Sequence, residues 1–237
     1  MFGSPRQASI LQRAQARGLL QVHVHNIRDF TTDRHHVTDD APYGGGAGML
    51  MKPEPIVAGI QALQERYGLA YGILLSPQGV LLTQEGAKIL ARQERLLLVC
   101  GRYGGVDARV QAYLQEEVSI GDYVLTGGEL PAMVLLDVVS RMLPGVLGDP
   151  LSVEEDSLFN GLRQGPQYTR PVEFAGARVP AVLLSGDHAA IARWRRRQAL
   201  RITLQRRPEL LAKAPLTSHE HAMLLELHQE GAQPHAR

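Results

Sequence analysis

The chain has 237 residues, 44% of them hydrophobic, enough to bury one good core and a small second one. Formal charge is close to balance at +1, so composition does not announce a nucleic-acid partner. A single cysteine, Cys100, excludes an internal disulfide and a multi-thiolate zinc centre, and no stretch approaches the roughly 18 apolar residues of a membrane span.

Ile10, Leu11, Ala14 and Gly18-Leu19-Leu20 predict an amphipathic helix closed by a C-cap glycine. The first 28 residues hold four arginines and no acid, which would also suit an organelle transit peptide. The helix is the preferred reading, and a soluble cytoplasmic protein is expected. Tyr43-Gly44-Gly45-Gly46-Ala47-Gly48-Met49 is a glycine loop. A P-loop would end in Lys and then Ser or Thr, whereas Met49 and Leu50 follow here. A dinucleotide fingerprint needs a strand before it, and no clear strand precedes this segment. What remains is a loop whose backbone can approach a ligand or RNA closely.

Ala70–Leu75, Leu96–Cys100 and Asp122–Leu125 read as buried strands, with Gln84–Gln93 and Asp107–Glu117 as helices between them. That alternation predicts an α/β layer with a mostly parallel sheet. The strands run into Ser76-Pro77-Gln78-Gly79, Gly101-Arg102-Tyr103-Gly104-Gly105 and Thr126-Gly127-Gly128. Ligands of open α/β sheets sit beyond the carboxyl ends of strands, so three such loops at one edge make a candidate small-molecule pocket. Glycine turns are also ordinary architecture, and that reading stays open. Cys100 closes an apolar run and suits a small buried hydrophobe better than a nucleophile.

Leu130–Leu143 predicts an apolar helix stopped at Pro144–Gly148, after which 149–165 reads as a polar connector and a domain boundary. The tail is mainly helical. Asp187 is a candidate N-cap ahead of Ala189–Arg201, Pro208 opens a further turn, and Thr217 with Glu220 forms a capping box ahead of Ala222–Leu227. Arg193, Arg195, Arg196, Arg197, Arg201, Arg206 and Arg207 crowd one stretch that contains no acid. Such a patch attracts phosphate, or else forms a solvated helix face. Arg193, Arg197 and Arg201 share one face, while Ile191, Trp194 and Ile202 can pack on another.

Ordered motifs run along nearly the whole chain: Ile27-Arg28-Asp29-Phe30-Thr31, Asp39-Asp40-Ala41-Pro42-Tyr43 with its glycine loop, Leu75-Ser76-Pro77-Gln78-Gly79, and Cys100-Gly101-Arg102-Tyr103. Ser119-Ile120-Gly121-Asp122-Tyr123-Val124-Leu125-Thr126-Gly127-Gly128-Glu129-Leu130-Pro131 follows, then Ser140-Arg141, Pro144-Gly145-Val146-Leu147-Gly148, Glu155-Asp156-Ser157, Tyr168-Thr169-Arg170-Pro171, Leu183-Leu184-Ser185-Gly186 and Arg206-Arg207-Pro208-Glu209-Leu210-Leu211. In this the chain resembles the bacterial tRNA (guanine-N1)-methyltransferase family of the trefoil-knot (SPOUT) class.

The resemblance implies an α/β fold, a mostly parallel sheet with a deep trefoil knot over residues 1–148. A linker at 149–165 and a small, mainly helical tRNA-binding domain at 166–237 follow. It implies an obligate homodimer with each active site at the subunit interface, no membrane partner, and S-adenosylmethionine as methyl donor to N1 of guanosine 37, next to the anticodon. Carried over by motif, the donor would lie against Leu75, Ser76, Pro77, Gln78 and Gly79, against Gly101, Arg102 and Tyr103, and against Ile120, Gly121, Asp122, Tyr123, Val124 and Leu125 with Gly127, Gly128 and Pro131. Tyr103 and Tyr123 also suit plain packing. The anticodon stem-loop would meet Asp40, Tyr43, Gly45, Arg102, Arg170, Ser185 and His188, with Arg193, Arg197 and Arg201.

Guanine N1 is a poor nucleophile until it loses its proton, whereas a sulfonium methyl is already electrophilic, so the task is deprotonation and alignment. By the resemblance Asp156 is the general base, and Arg141 stabilises charge developing on O6. Taken alone, an Asp-Ser pair in a loop is as well read as an N-cap, and Arg141 as an ion-pair residue. Three departures stand out. Family members open with a strand leading into Phe-Pro-Glu-Met-Phe that has no counterpart after Met1-Phe2, for which a misassigned start is the preferred explanation. Gly104 and Gln164 stand where relatives commonly carry acids, which weakens the expectation of Mg²⁺ and leaves no metal ligand set assigned. The rival readings are a knotted methyltransferase for another RNA position and a non-catalytic RNA-binding protein.

Overall fold

The computed structural model describes residues 9–147 and 157–232. The chain divides into two compact units, Met1–Pro150 and Leu151–Arg237. In the first, helix α1 (Ser9–Ala16) ends as expected: Gly18 takes φ 70°, and the Leu19 amide returns to the Ala14 carbonyl at 2.9 Å. Short strands β1 (Asp39–Asp40) and β2 (Leu50–Met51) pair antiparallel and bracket the glycine loop. Helix α2 (Pro53–Tyr67) opens with proline, whose missing N–H costs nothing in a first turn.

The central sheet is parallel. Strands β3 (Tyr71–Leu81), β4 (Leu96–Cys100) and β5 (Glu116–Ser119) lie in the order β4-β3-β5, with α3 (Gln84–Leu90) and α4 (Glu129–Ser140) completing the unit. Alternate side chains serve opposite faces. Ile73, Leu75 and Val118 pack against Ala87 and Leu90 of α3 and Ala132, Leu135 and Val139 of α4. Leu74 and Val99 pack against Ile56 and Ile60 of α2, with Met51 and Val110. Burial on both faces is why β3 and β4 read as continuous apolar runs.

Within β3, Leu75 and Val80 both stand opposite Val118, so Ser76–Gly79 is a bulge rather than a loop leaving the sheet. A Cβ at Gly79 would overlap the Glu117–Val118 peptide of β5. Glycine is the side-chain-free solution to that contact.

Two expected elements are corrected. Asp122–Leu125 is not a strand, for its apolar side chains face solvent: Tyr123 is 54% and Val124 84% exposed. The strand lies earlier, at Glu116–Ser119, where two glutamates on a half-buried edge hide the apolar signature. Asp107–Glu117 is accordingly not one helix but a 3-10 turn, Ala108–Tyr113, followed by β5. Asp107 caps that turn through the Arg109 amide and pairs with the Arg109 guanidinium at 2.8 Å, contacts that hold its carboxyl down at about 2. Gln115 then accepts the Gly72 amide at 2.6 Å, which fixes the extended entry to β5.

The second unit is built on α5 (His188–Arg206) and α6 (Ser218–Ala232), preceded by a hairpin of β6 (Glu173–Phe174) and β7 (Ala177–Arg178). Ala175 and Gly176 both take positive φ, as a two-residue hairpin turn requires. Leu162 joins Leu200, Met223 and Leu227 in the core, so the end of the apparent connector is part of this unit's packing. Asp187 caps α5 by accepting the Ala190 amide at 3.0 Å. The capping box of α6 is formed, Thr217 N–H donating to Glu220 at 2.7 Å and Glu220 N–H to the Thr217 hydroxyl at 3.3 Å.

Close packing at glycine makes a direct prediction. Adding a methyl at Gly128 would bring it 2.8 Å from the Cys100 Cα, whereas at Gly86 in α3 it would meet only the Thr83 hydroxyl, at an ordinary contact of 3.5 Å. In thermal melts, Gly128→Ala should cost about 1–3 kcal/mol, and Gly86→Ala should gain up to about 1 kcal/mol.

Candidate active site

Because β3, β4 and β5 are parallel, their carboxyl ends share one edge of the sheet, where Cys100 pairs with Leu75 and Ser119 with Leu81. Beyond that edge two turns are joined to each other. The Gly128 amide donates to the Gly101 carbonyl at 2.8 Å, and Arg102 bridges to Gly127. Glycine at 128 lets the start of α4 lie directly on the Cys100–Gly101 main chain, which side chains would hold apart. The turn after β4 is tied on its other side to β2. The Gly104 amide meets the Met49 carbonyl at 2.9 Å, and the Met51 amide meets the Gly105 carbonyl at 3.0 Å. The glycine loop, the Gly101–Gly105 turn and the Ile120–Gly128 segment thus form one connected surface.

That segment is open where it matters. Ser119 holds its start, its hydroxyl donating to the Gly121 carbonyl and accepting the Gly121 amide, both at 3.1 Å. Asp122, Tyr123, Val124 and Leu125 are then exposed, and no described residue hydrogen-bonds the main chain of Asp122, Val124 or Leu125. Uncommitted amides and carbonyls beside apolar side chains fit a ligand that combines an adenine edge with an uncharged sugar. On the β3 side Leu75 is buried, Ser76 is half-buried with its hydroxyl accepting the Gln78 amide at 3.2 Å, and Pro77 and Gln78 are exposed. Gly79 is committed to β5, and Pro131 is buried in the first turn of α4. Tyr103, at φ 58°, is 58% exposed, and Ile120 accepts the Tyr123 hydroxyl at 3.2 Å.

Arg141 follows α4 directly as its C-cap. An α-helix rises about 1.5 Å per residue, so α4 holds Arg141 roughly 20 Å along its axis from Gly128. Leu130, Val134, Asp137 and Arg141 follow the i, i+4, i+7, i+11 spacing of one helix face, and Leu130 and Val134 are 44% and 42% exposed. Asp156 lies outside the described residues.

The expected RNA contacts fall on both units. In the first, Asp40 is exposed and accepts the Ala41 amide at 2.7 Å, and Tyr43 stands fully exposed beside Gly44 and Gly45, both at positive φ. In the second, Arg170, Ser185 and His188 are exposed, and Ser185 accepts the Asp187 amide at 3.1 Å. The arginine stretch has acids that lie close only in the fold. Arg197 pairs with Glu226 at 3.2 Å and Glu230 at 2.5 Å, Arg201 with Glu230 at 2.9 Å, and Arg196 with Glu220. These hydrogen bonds hold the Glu230 carboxyl below the usual range. Arg193 and Arg195 are exposed and have no ion-pair partner among the described residues. Arg193 and Arg197 flank an open hollow with Trp194, whose ring lies 6.3 Å from Tyr168.

Sequence reasoning passed over Glu129. Its carboxylate receives both Nε and Nη2 of Arg102, at 2.8 and 2.7 Å, across the joined turns. An acid directly after Gly-Gly at a helix start was the available signal. The described residues contain no group of three or more His, Cys, Asp or Glu side chains able to hold a metal ion.

These features define an α/β protein with glycine turns joined through main chain beyond the carboxyl edge of a parallel sheet, continued in sequence by an arginine-bearing helical unit. The family model for tRNA (Guanine-1)-methyltransferase TrmD matches residues 1–213. Proteins named tRNA (guanine-N(1)-)-methyltransferase are 55% identical over 230 residues in Pelotomaculum thermopropionicum (96% of this chain, 92% of that protein) and 53% over 233 residues in Geobacter metallireducens (98% and 95%). One from Dictyoglomus turgidum is 51% identical over 230 residues, 97% of this chain and 93% of its own. The chain belongs to the tRNA (guanine-1)-methyltransferase family.

Cys100, at the end of β4, is a poor candidate nucleophile. Burial, reinforced by the Glu129 carboxylate and opposed by Arg102, pushes its thiol up to about 12. Iodoacetamide at pH 8 should leave the folded protein unmodified while labelling the urea-unfolded chain. With the folded value raised, this group's stabilisation is complete below the ordinary thiol value near 9 and is lost as pH rises toward about 12.

Proposed function

We propose that this chain transfers the methyl group of S-adenosylmethionine to N1 of the guanine at position 37 of tRNA, next to the anticodon, as a homodimer with two shared active sites. The observation that carries the reading is the joined pair of glycine turns at the sheet edge, in a member of a family that methylates guanine N1. Bound there, S-adenosylmethionine supplies an electrophilic methyl on a sulfonium. The open main chain of 122–125 and the turn at Gly101–Tyr103 read its adenosine, in the trefoil knot that the family fold implies.

Asp156 takes the N1 proton. A carboxylate with an ordinary pKa near 4 is a weak base for it, and each unit of mismatch costs about 1.4 kcal/mol. Arg141 reduces that mismatch by stabilising the charge that moves to O6. The guanine must leave its stack to expose this edge. The span of α4 supports the shared site: one chain's Arg141 is too far along its own helix to serve the crevice at that helix's start. A second copy applied to the exposed Leu130–Val134 face would bring its own arginine there. The exposed Val80, Leu81 and Ile89, around a hollow of about 190 Å³, offer further apolar surface for that copy. Arg193, with Arg197 and Arg201 once released from their glutamates, grips phosphate of the anticodon stem-loop. No step calls on Mg²⁺. No helix of the described residues is long and apolar enough to cross a membrane.

Incubation with labelled methyl donor and an unmodified tRNA transcript, followed by nucleoside analysis, tests the reading. Label is expected in 1-methylguanosine and should vanish when guanine 37 is replaced by adenine; label in another nucleoside would refute it. Asp156→Ala should keep donor binding and lose about 10²–10⁴-fold in single-turnover rate. Arg193→Ala should flatten the slope of log affinity against log salt by about 0.7–0.9.

A further inference from the structure

The ion pair across the crevice-forming turns has a geometry that general stability does not explain. Arg102 presents Nε and Nη2 to a single oxygen, Oε1 of Glu129, at 2.8 and 2.7 Å. The Glu129 side chain is only 19% exposed, although that of Arg102 is 51% exposed. A pair with one exposed partner contributes little to folding free energy. Yet the main chain leaves room for it. A Cβ on Gly127 would overlap Oε2 of Glu129 and come 3.2 Å from Cγ of Arg102 and 3.3 Å from the Gly101 carbonyl oxygen, so a side chain at 127 would push the carboxylate out of its present place. The same two turns are already joined through main chain, by the Arg102–Gly127 bridge and the Gly128-to-Gly101 hydrogen bond. Side chains and backbone therefore lock one junction twice.

We infer that Glu129 is a positioning residue for the methyl donor: through Arg102 it sets the spacing of the Gly101–Gly105 and Ile120–Gly128 segments before any RNA arrives. The inference rests on the proposed donor crevice. Glu129 touches neither donor nor base; it acts by holding Arg102. The requirement is for a planar fork, because a lysine ammonium is a point charge on a flexible stem and would not fix the turn's direction.

The test measures S-adenosylmethionine affinity by calorimetry on the RNA-free full chain, where contacts of Arg102 with RNA cannot enter. Glu129→Gln and Arg102→Lys should each weaken donor binding about tenfold, equivalent to about 1.4 kcal/mol. In Glu129→Gln, KM for the donor should rise in step, while kcat at saturating donor and KM for tRNA change less than about threefold. Melting temperatures within a few degrees of wild type would show that the fold is kept, and Arg102→Lys decides the matter if Glu129→Gln melts early. The exchange Arg102→Glu with Glu129→Arg should recover part of the affinity lost in Arg102→Glu alone. Wild-type donor affinity in both Glu129→Gln and Arg102→Lys would overturn the inference. Failure of the unmodified chain to bind the donor would instead remove the crevice reading, and this inference with it.

Discussion

Main-chain segments pass at the carboxyl edge of the sheet at separations that only glycine allows, and the rest of the site follows from that constraint. Gly79 lies on the peptide of β5, and Gly128 lies on the peptide after β4. Each contact would be broken by one methyl group, so the backbone rather than the side chains sets the shape of the edge. An edge made this way offers fixed amides and carbonyls, with the charges of Arg102 and Glu129 paired to each other. That suits a cationic donor whose adenosine must be recognised while its sulfonium stays reactive.

The two units differ in chemistry. The first supplies the rigid edge, held by cores on both faces of a parallel sheet. The second supplies cations on a helix whose core is small and whose arginines are partly neutralised by α6. Pairing Arg197 and Arg201 with glutamates lowers the free positive charge, so attraction to arbitrary phosphate is weaker than seven arginines imply. In the proposed grip on RNA these arginines would have to exchange partners, a cost that a correctly shaped RNA would meet better than a random one.

Much of this was legible in the residues. β4, the first half of β3 and α4 declare themselves by their apolar runs, and α3 by apolar residues at helical spacing beside charged ones. The caps at Asp187 and Thr217 declare themselves because a helix start needs an oxygen at a fixed offset. β5 was missed because Glu116 and Glu117 mask a strand of which only Val118 and Ser119 are buried. The apolar run at 123–125 misled for the opposite reason, being hydrophobic and exposed. The partners of Arg197 lie about thirty residues further along the chain, where local charge patterning cannot reach. Glu129 was hidden by its neighbours, since Gly127 and Gly128 drew the reading toward a ligand when Gly127 makes room for an ion pair.

The most direct measurement is a titration of S-adenosylmethionine into the full chain beside the same titration into Gly128→Ala, both checked for intact secondary structure. The account predicts saturable, one-site-per-chain binding to the first and a loss of at least tenfold in the second, about 1.4 kcal/mol. Equal binding by the two proteins would contradict it, since the donor would then be held by something other than these close-set turns.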